Sequence, residues 1–313
     1  MPAPKPRLPR APHDHYDLQI AALATRQHGV VTWAQLRAIG LSSTAISARV
    51  GCGRLHRMLP GVYAVGHPVP SRLGWMVAAL LSCGEPSAIA RRTALEVWGV
   101  WRPTERPIDV VVMRRKRVVD GLRVHHTRVL EPWHVTNRRG VVVTTVARTL
   151  VDLALELDSL QLSNVIHELV HRRLFRAREF KRCIARMHAS VGTPVAIEAL
   201  EHVRAGSAGT KSELERRVRA LILELGLEMP VSNVSVHTRI GHIELDTSWP
   251  GITTYLEVDG PGHARKRTQN ADRDRRIALR DKGWTEFRVG FLELDLDRPG
   301  VSARLLAVLP VAR

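Results

Sequence analysis

Cysteine is scarce in this 313-residue chain: Cys52, Cys83 and Cys183 stand far apart, with no C-x-x-C pair. That excludes a disulfide framework and a cysteine-built zinc site, and it agrees with a reducing, cytoplasmic setting. Long apolar runs are missing too. The longest, Leu73 to Cys83, is too short to span a bilayer and has no flanking topology signal. Met1 to His15 holds no secretory apolar region; rich in proline and basic residues, it reads as a flexible tail. Aromatic residues make up only 4% of the chain, so Trp98, Trp101 and Trp133 read as core or interface anchors rather than base-stacking platforms. Negative charge is also short: 30 Asp and Glu face 47 Lys and Arg, a formal net charge of +17. A surface of this kind selects polyanions, nucleic acid first, because neither a basic membrane helix nor a lipid anchor is present. The alternative is a charge that serves only solubility.

What is present is an ordinary globular mixture, 44% hydrophobic and 25% charged. Length alone suggests two domains at roughly 150 residues each. Patterning divides the chain further, into a tail at 1–17, a winged helix-turn-helix at 18–68, an α+β middle domain at 69–204, a small-residue linker at 205–211 and a C-terminal domain at 212–313. The expected class is a multidomain mixture of α+β and α/β.

In the first domain, Ile20, Leu23 and Ala24 have helical spacing up to Gly29, and Thr32 can cap a second helix ending at Gly40. Ser42 or Ser43 caps a third, in which Ile46 and Val50 form an inward i, i+4 pair. Arg54 to Val65 reads as two short strands around Pro60-Gly61. Three short helices and a basic hairpin match the plan of a winged helix, whose third helix enters the major groove. Ser43, Thr44, Ser47 and Arg49 are then the groove candidates, and Arg54, His56 and Arg57 would sit near phosphates. A protein-interaction module is the alternative. In the middle domain, strands are expected at Pro107–Met113, Gly121–His126 and Gly140–Val143, with helices around them. The Arg114-Arg115-Lys116-Arg117 run reads as a solvated loop.

The C-terminal domain is expected to run αβββαβα, with strands at Val231–Thr238, Ile243–Thr247, Thr253–Val258 and Trp284–Val289. Its chemistry gathers on one hairpin. Asp246 ends one strand, Trp249-Pro250-Gly251 turns, and Glu257 and Asp259 lie on the return, sharing a face by strand alternation, as Glu244 and Asp246 do. Converging carboxylates repel unless a cation intervenes, and a hard divalent ion such as Mg²⁺ (or Mn²⁺) takes such oxygen ligands. It can polarise a phosphodiester and activate a water. His263 is placed to move a proton. Arg265, Lys266, Arg267, Arg273, Arg275, Arg276, Arg280 and Lys282 supply phosphate-binding side chains. The alternative is an acidic hairpin tip neutralised by a basic helix.

These residues carry two resemblances. Ser212-Glu213-Leu214-Glu215, Glu244-Leu245-Asp246 with Trp249-Pro250, Leu256-Glu257-Val258-Asp259-Gly260 with His263, Asp272-Arg273 with Arg275, and Gly283-Trp284 resemble the domain grouped with the very-short-patch mismatch repair endonucleases, of the PD-(D/E)xK superfamily. The resemblance implies a metal site on Asp246 and Glu257, with Glu215 contributed by the first helix and His263 close by. The superfamily's usual lysine, two residues past the acid, is Asp259 here. Further upstream, Gly29-Val30-Val31-Thr32, Gly40-Leu41-Ser42, Gly53-Arg54-Leu55-His56 and Pro60-Gly61-Val62-Tyr63-Ala64-Val65-Gly66 are similar to the winged helix of abortive-infection type IV antitoxins. Val143-Thr144-Thr145-Val146-Ala147-Arg148-Thr149-Leu150 is similar to the middle domain of those antitoxins. That family represses its own operon and neutralises a nucleotidyltransferase toxin. The expectation is therefore a DNA-binding protein with a metal-dependent endonuclease-like end; the alternative is a non-catalytic regulator of the antitoxin type.

A rival signature, His167-Glu168-Leu169-Val170-His171, matches the zinc-protease pattern H-E-x-x-H. Its helix reads as an ordinary amphipathic one, with Leu162, Ile166 and Leu169 inward, which favours coincidence over the alternative of zinc hydrolysis.

Overall fold

Local capping chemistry lays down the first elements. The computed structural model describes residues 12–101, 107–114, 119–187, 192–204, 211–259 and 266–312. Helix α1 (Pro12–Arg26) starts six residues before the expected boundary, so 12–17 belong to the domain and not to a tail; proline suits a first helical position, where no N–H is needed. After β1 (Val30–Thr32), Thr32 caps α2 (Trp33–Ala38) in a capping box with Gln35. Ser42 caps α3 (Ser43–Gly51) by accepting from the Ala45 N–H. Strands β2 (Leu55–Leu59) and β3 (Val62–Val65) form the hairpin, with Gly61 at φ +73° in its turn. The sheet runs β1-β3-β2. Ile20, Ala24, Val31, Leu36, Leu41, Ile46, Leu55 and Tyr63 close its core.

Next come α4 (Arg72–Cys83), β4 (Ser87–Ile89), α5 (Arg91–Val97), β5 (Ile108–Val112), β6 (Leu122–His126), β7 (Val135–Arg138) and β8 (Val141–Thr144). They build a five-stranded mixed sheet in the order β6-β5-β4-β8-β7. The three expected strands are present. Of the basic run expected as a loop after β5, residues 115–117 lie outside the described residues. The additional β4 holds the sheet centre, antiparallel to β5 and parallel to β8. Met76, Val77 and Ala79 of α4 pack with Ile89, Val110, Val112, Val141 and Val143. His28 Nε2 meets the Arg139 carbonyl at 2.8 Å, tying the β7–β8 turn to the end of α1.

The chain divides into two compact units, Met1–Thr149 and Leu150–Arg313. The division falls inside α6 (Val146–Leu153) rather than at 205–211, of which 205–210 lie outside the described residues. Helices α7 (Ser159–His171), α8 (Ala177–Arg186) and α9 (Thr193–Arg204) therefore group with the C-terminal elements. The physical reason is a buried polar knot. Asn164 on α7 donates to Asp295 Oδ2 at 3.0 Å, and Arg217 donates to Oδ1 at 2.6 Å.

Beyond them lie α10 (Lys211–Glu224), β9 (Val234–Thr238), β10 (Gly241–Leu245), β11 (Ser248–Trp249), β12 (Thr254–Asp259), α11 (Lys266–Asp281), β13 (Thr285–Gly290), α12 (Phe291–Leu296) and α13 (Arg298–Val308). The expected order is recovered with an added short strand, β11, and an added helix, α12, before the closing helix. The strand expected to reach Thr247 ends at Leu245, and a separate two-residue β11 pairs with β12. The turn after it is a 3-10 turn over Pro250–Ile252 that leaves Thr253 left-handed at φ +45°. β12 runs parallel to β13 and is covered on both faces. Leu256 and Val258 meet Leu214, Val218, Leu221, Val301 and Leu305, while Tyr255 meets Ala278 and Leu279 of α11. The protein is thus a multidomain α+β protein with separate mixed and antiparallel sheets. Among the described residues no helix is long and apolar enough to cross a membrane.

Candidate functional site

Helix α3 and the β2–β3 hairpin carry the first set of sequence-selected residues. Ser43, Thr44 and Ser47 are exposed, as a groove-facing surface requires, and Ile46 is buried behind them. Arg49 is a correction. It lies one turn after Ile46, on the same inward side, and is only 8% exposed. Its Nε and Nη2 donate to Asp17 Oδ1 at 3.1 and 3.0 Å. Arg54 donates to the other oxygen of Asp17 at 3.0 Å while remaining largely exposed. Asp17 thus ties α1 to both ends of the α3–β2 connection. Arg57 stays exposed, its guanidinium 5.8 Å from the Tyr63 ring centre.

The second set meets in the last domain. Glu215 of α10, Asp246 of the bend after β10 and Glu257 of β12 line one small pocket, together with Thr247, Tyr255 and Arg275. The backbone explains the meeting: the Leu256 N–H donates to the Thr247 carbonyl at 2.9 Å, which sets the Asp246 bend beside Glu257. Asp246 reaches the pocket from a bend and not, as expected, from a strand position shared with Glu244. The Glu244 carbonyl instead accepts from Arg275 Nη2 at 2.8 Å. That bond brings α11 to the pocket wall, and a phosphate-contact candidate becomes the cation beside three carboxylates.

Tyr255 is a pocket residue that sequence reasoning missed. It is buried, and desolvation, followed by the charges of Glu286 and Glu257, raises its phenol to about 12, against the lowering effect of Arg275 and Arg276. Its place two residues before Glu257 on a strand was the available signal.

By donor chemistry this set suits a hard divalent cation, since all three side chains offer carboxylate oxygens. Among the described residues, however, no group of three or more His, Cys, Asp or Glu is arranged to hold a metal ion. His263 and Arg265 lie outside the described residues, as do the side chains of Asp259 and Lys266, which end β12 and begin α11. Arg273 is exposed on α11. The H-E-x-x-H helix is an amphipathic α7: Leu162, Val165, Ile166 and Leu169 are buried, and Glu168 pairs with Arg172.

Comparison with known families decides one segment. Residues 18–66 match the family described as transcriptional regulator, AbiEi antitoxin. The match spans α1 to β3, the winged helix, and does not extend to the later domains. Comparison with curated proteins finds no match. Among solved structures, the chain is similar to the RV2827C protein from Mycobacterium tuberculosis, with a TM-score of 0.41 and 18% identity over 74% of this chain and 89% of that one.

Proposed function

We propose that the protein is a DNA-binding regulator of the antitoxin type, which reads duplex DNA through α3 and the β2–β3 wing. One observation carries this: Ser43, Thr44 and Ser47 stand exposed along a helix seated by Ile46, within residues that match an antitoxin regulator family. Hydroxyl side chains suit base-edge and phosphate contacts in the major groove, and Arg54 and Arg57 suit the backbone beside it. A nucleotidyltransferase-type toxin is the corresponding protein partner. The test is binding to the DNA upstream of the protein's own coding sequence. A Thr44→Glu/Ser47→Glu double variant places two negative charges against the phosphates and abolishes specific binding. Arg57→Ala weakens specific and non-specific duplexes alike and reduces the salt slope by about 0.9. Parental affinity and salt slope in both variants would refute the assignment.

A second reading, metal-dependent hydrolysis of DNA phosphodiesters, is favoured by the meeting of Glu215, Asp246 and Glu257 on one pocket. Asp246 and Glu257 would hold Mg²⁺ or Mn²⁺, supported by Glu215, Asp259 and His263. The ion when bound supplies Lewis-acid polarisation and an activated water. Arg275, which lines the pocket, would hold a phosphate oxygen against the carboxylates, and Tyr255 remains a neutral hydrogen-bond donor below its raised pKa. Plasmid nicking with Mg²⁺ or Mn²⁺ that Asp246→Ala abolishes is the expected result. Intact plasmid with folded, DNA-bound protein and either ion rules this reading out and leaves the regulator alone.

A further inference from the structure

Beside the carboxylate pocket, and sharing Tyr255 with it, α11 and the start of β13 line an open groove of about 470 Å³. One wall is an arginine stripe. Arg273, Arg276 and Arg280 recur at i, i+3 and i+7, so they share a face of the helix, and the outer two are about 10 Å apart along its axis. The other wall is Trp284, Thr285 and Glu286, with Tyr255 below and Ile277 among the arginines. Among the described lining residues Glu286 is the only carboxylate, and it is already engaged: Arg276 Nε lies 3.3 Å and Arg288 Nε 2.9 Å from its oxygens. Arg273 and Arg280 are exposed and form no ion pair among the described residues. Trp284 is half-buried, packed beside Tyr255 and Leu279.

Two guanidinium groups without an ion pair among the described residues, two helical turns apart and lining an open groove with an aromatic ring, suit a chain of phosphates with accessible bases. We propose that this groove binds single-stranded nucleic acid, with the backbone along Arg273 and Arg280 and a base against Trp284. A duplex keeps its bases stacked inside and offers Trp284 none, whereas an unpaired strand presents a π-face to any aromatic wall. The groove would hold a displaced or unpaired strand, a role separate from duplex reading by the winged helix. It also does not depend on hydrolysis in the neighbouring pocket.

The test is fluorescence anisotropy of the full-length protein with labelled oligothymidylate, in EDTA, where metal-dependent cleavage is silent. Arg273→Ala/Arg280→Ala removes two phosphate contacts, which makes the log–log salt slope shallower by about 1.4. Over the tenfold range below 1 M salt that slope change is about a 25-fold loss of affinity at 0.1 M. Arg178→Ala/Lys181→Ala, the same loss of charge on exposed positions of α8, leaves the slope unchanged. Trp284→Ala loses roughly tenfold, and Trp284→Phe restores most of it, because stacking needs a ring rather than an indole. An unchanged slope in the Arg273→Ala/Arg280→Ala variant overturns the proposal. So does an equal loss on duplex and single strand, or an equal effect of the α8 variant.

Discussion

The buried knot of Asn164, Arg217 and Asp295 gives the sharpest stability prediction. The Asp295 side chain is fully buried, and Arg217 is one-quarter exposed. Burial raises the Asp295 carboxyl above its ordinary value, and the charge and hydrogen bond of Arg217, then the bond from Asn164, work against that rise. Arg217→Met removes the largest opposing effect while keeping the length of the side chain. An uncompensated carboxylate in an enclosed site costs about 3–5 kcal/mol at neutral pH, several times the worth of an exposed pair. A group whose folded pKa is raised contributes most stability below its unfolded pKa and loses that contribution as pH rises through the folded value. In the variant the folded pKa climbs further, so the deficit is largest near neutrality and shrinks as the pH falls towards 4. Asp295→Asn in the same background abolishes the charge and recovers most of the loss at pH 7. Urea unfolding at pH 5 and 7, with hydrogen exchange monitored on α7 and α12, reads these effects on the elements the knot joins. A cost below about 1 kcal/mol at pH 7, or a deficit that Asp295→Asn leaves untouched, refutes the burial argument.

Tyr255 makes a prediction at the alkaline end. Its phenol is held at about 12 in the folded protein, so stability is intact below pH 10 and falls between pH 10 and 12 as the unfolded chain ionises first. The fall attributable to this group is about 2–3 kcal/mol; in a denaturation series Tyr255→Phe flattens it, and an unchanged slope disproves the assignment. Gly74 predicts a conflict between propensity and space. In a helix, alanine gains up to about 1 kcal/mol over glycine, but a Cβ here meets the His28 carbonyl oxygen at 2.7 Å. Gly74→Ala lowers the melting temperature by an overpacking cost of about 1–3 kcal/mol, whereas Gly51→Ala, with open space around it, does not.

The legible elements were those whose signals are local. Thr32 with Gln35, Ser42 with Ala45, and Pro60-Gly61 each act within four residues, and together they delimit α2, α3 and the wing. Strand β4 is three residues long, too short to show alternation, and it holds the sheet centre only because β5 and β8 flank it. The inward turn of Arg49 is legible in its spacing from Ile46, yet a surface arginine is the natural reading because Asp17, which receives it, lies 32 residues earlier. The unit boundary was hidden for the same reason. Asn164 and Asp295 are 131 residues apart, and no composition shift announces their bond.

The candidate pocket shows the same division between residue identity and placement. Carboxylates at 215, 246 and 257 can be chosen from motif order, but their convergence depends on β10 stopping at Leu245 and on the Thr247–Leu256 backbone bond. Arg275 sharpens the choice between a metal site and an ion network. A cluster of acids needs a counter-charge, and the chain already delivers one to the pocket wall, anchored by the Glu244 carbonyl and not dependent on any added ion. The fold can therefore tolerate these carboxylates without metal, and their proximity alone does not demand one. What an ion network does not require is a carboxylate from each of three separate elements, α10, the Asp246 bend and β12, on the wall of one pocket. Asp246 is exposed and Glu215 and Glu257 are half-buried, so the convergence entails little desolvation, and a solvated ion network with Arg275 can hold it at small cost. An ion network and a ligand that needs oxygen donors make opposite predictions for these carboxylates, and the cleavage assay with Asp246→Ala is the measurement on which the two accounts part.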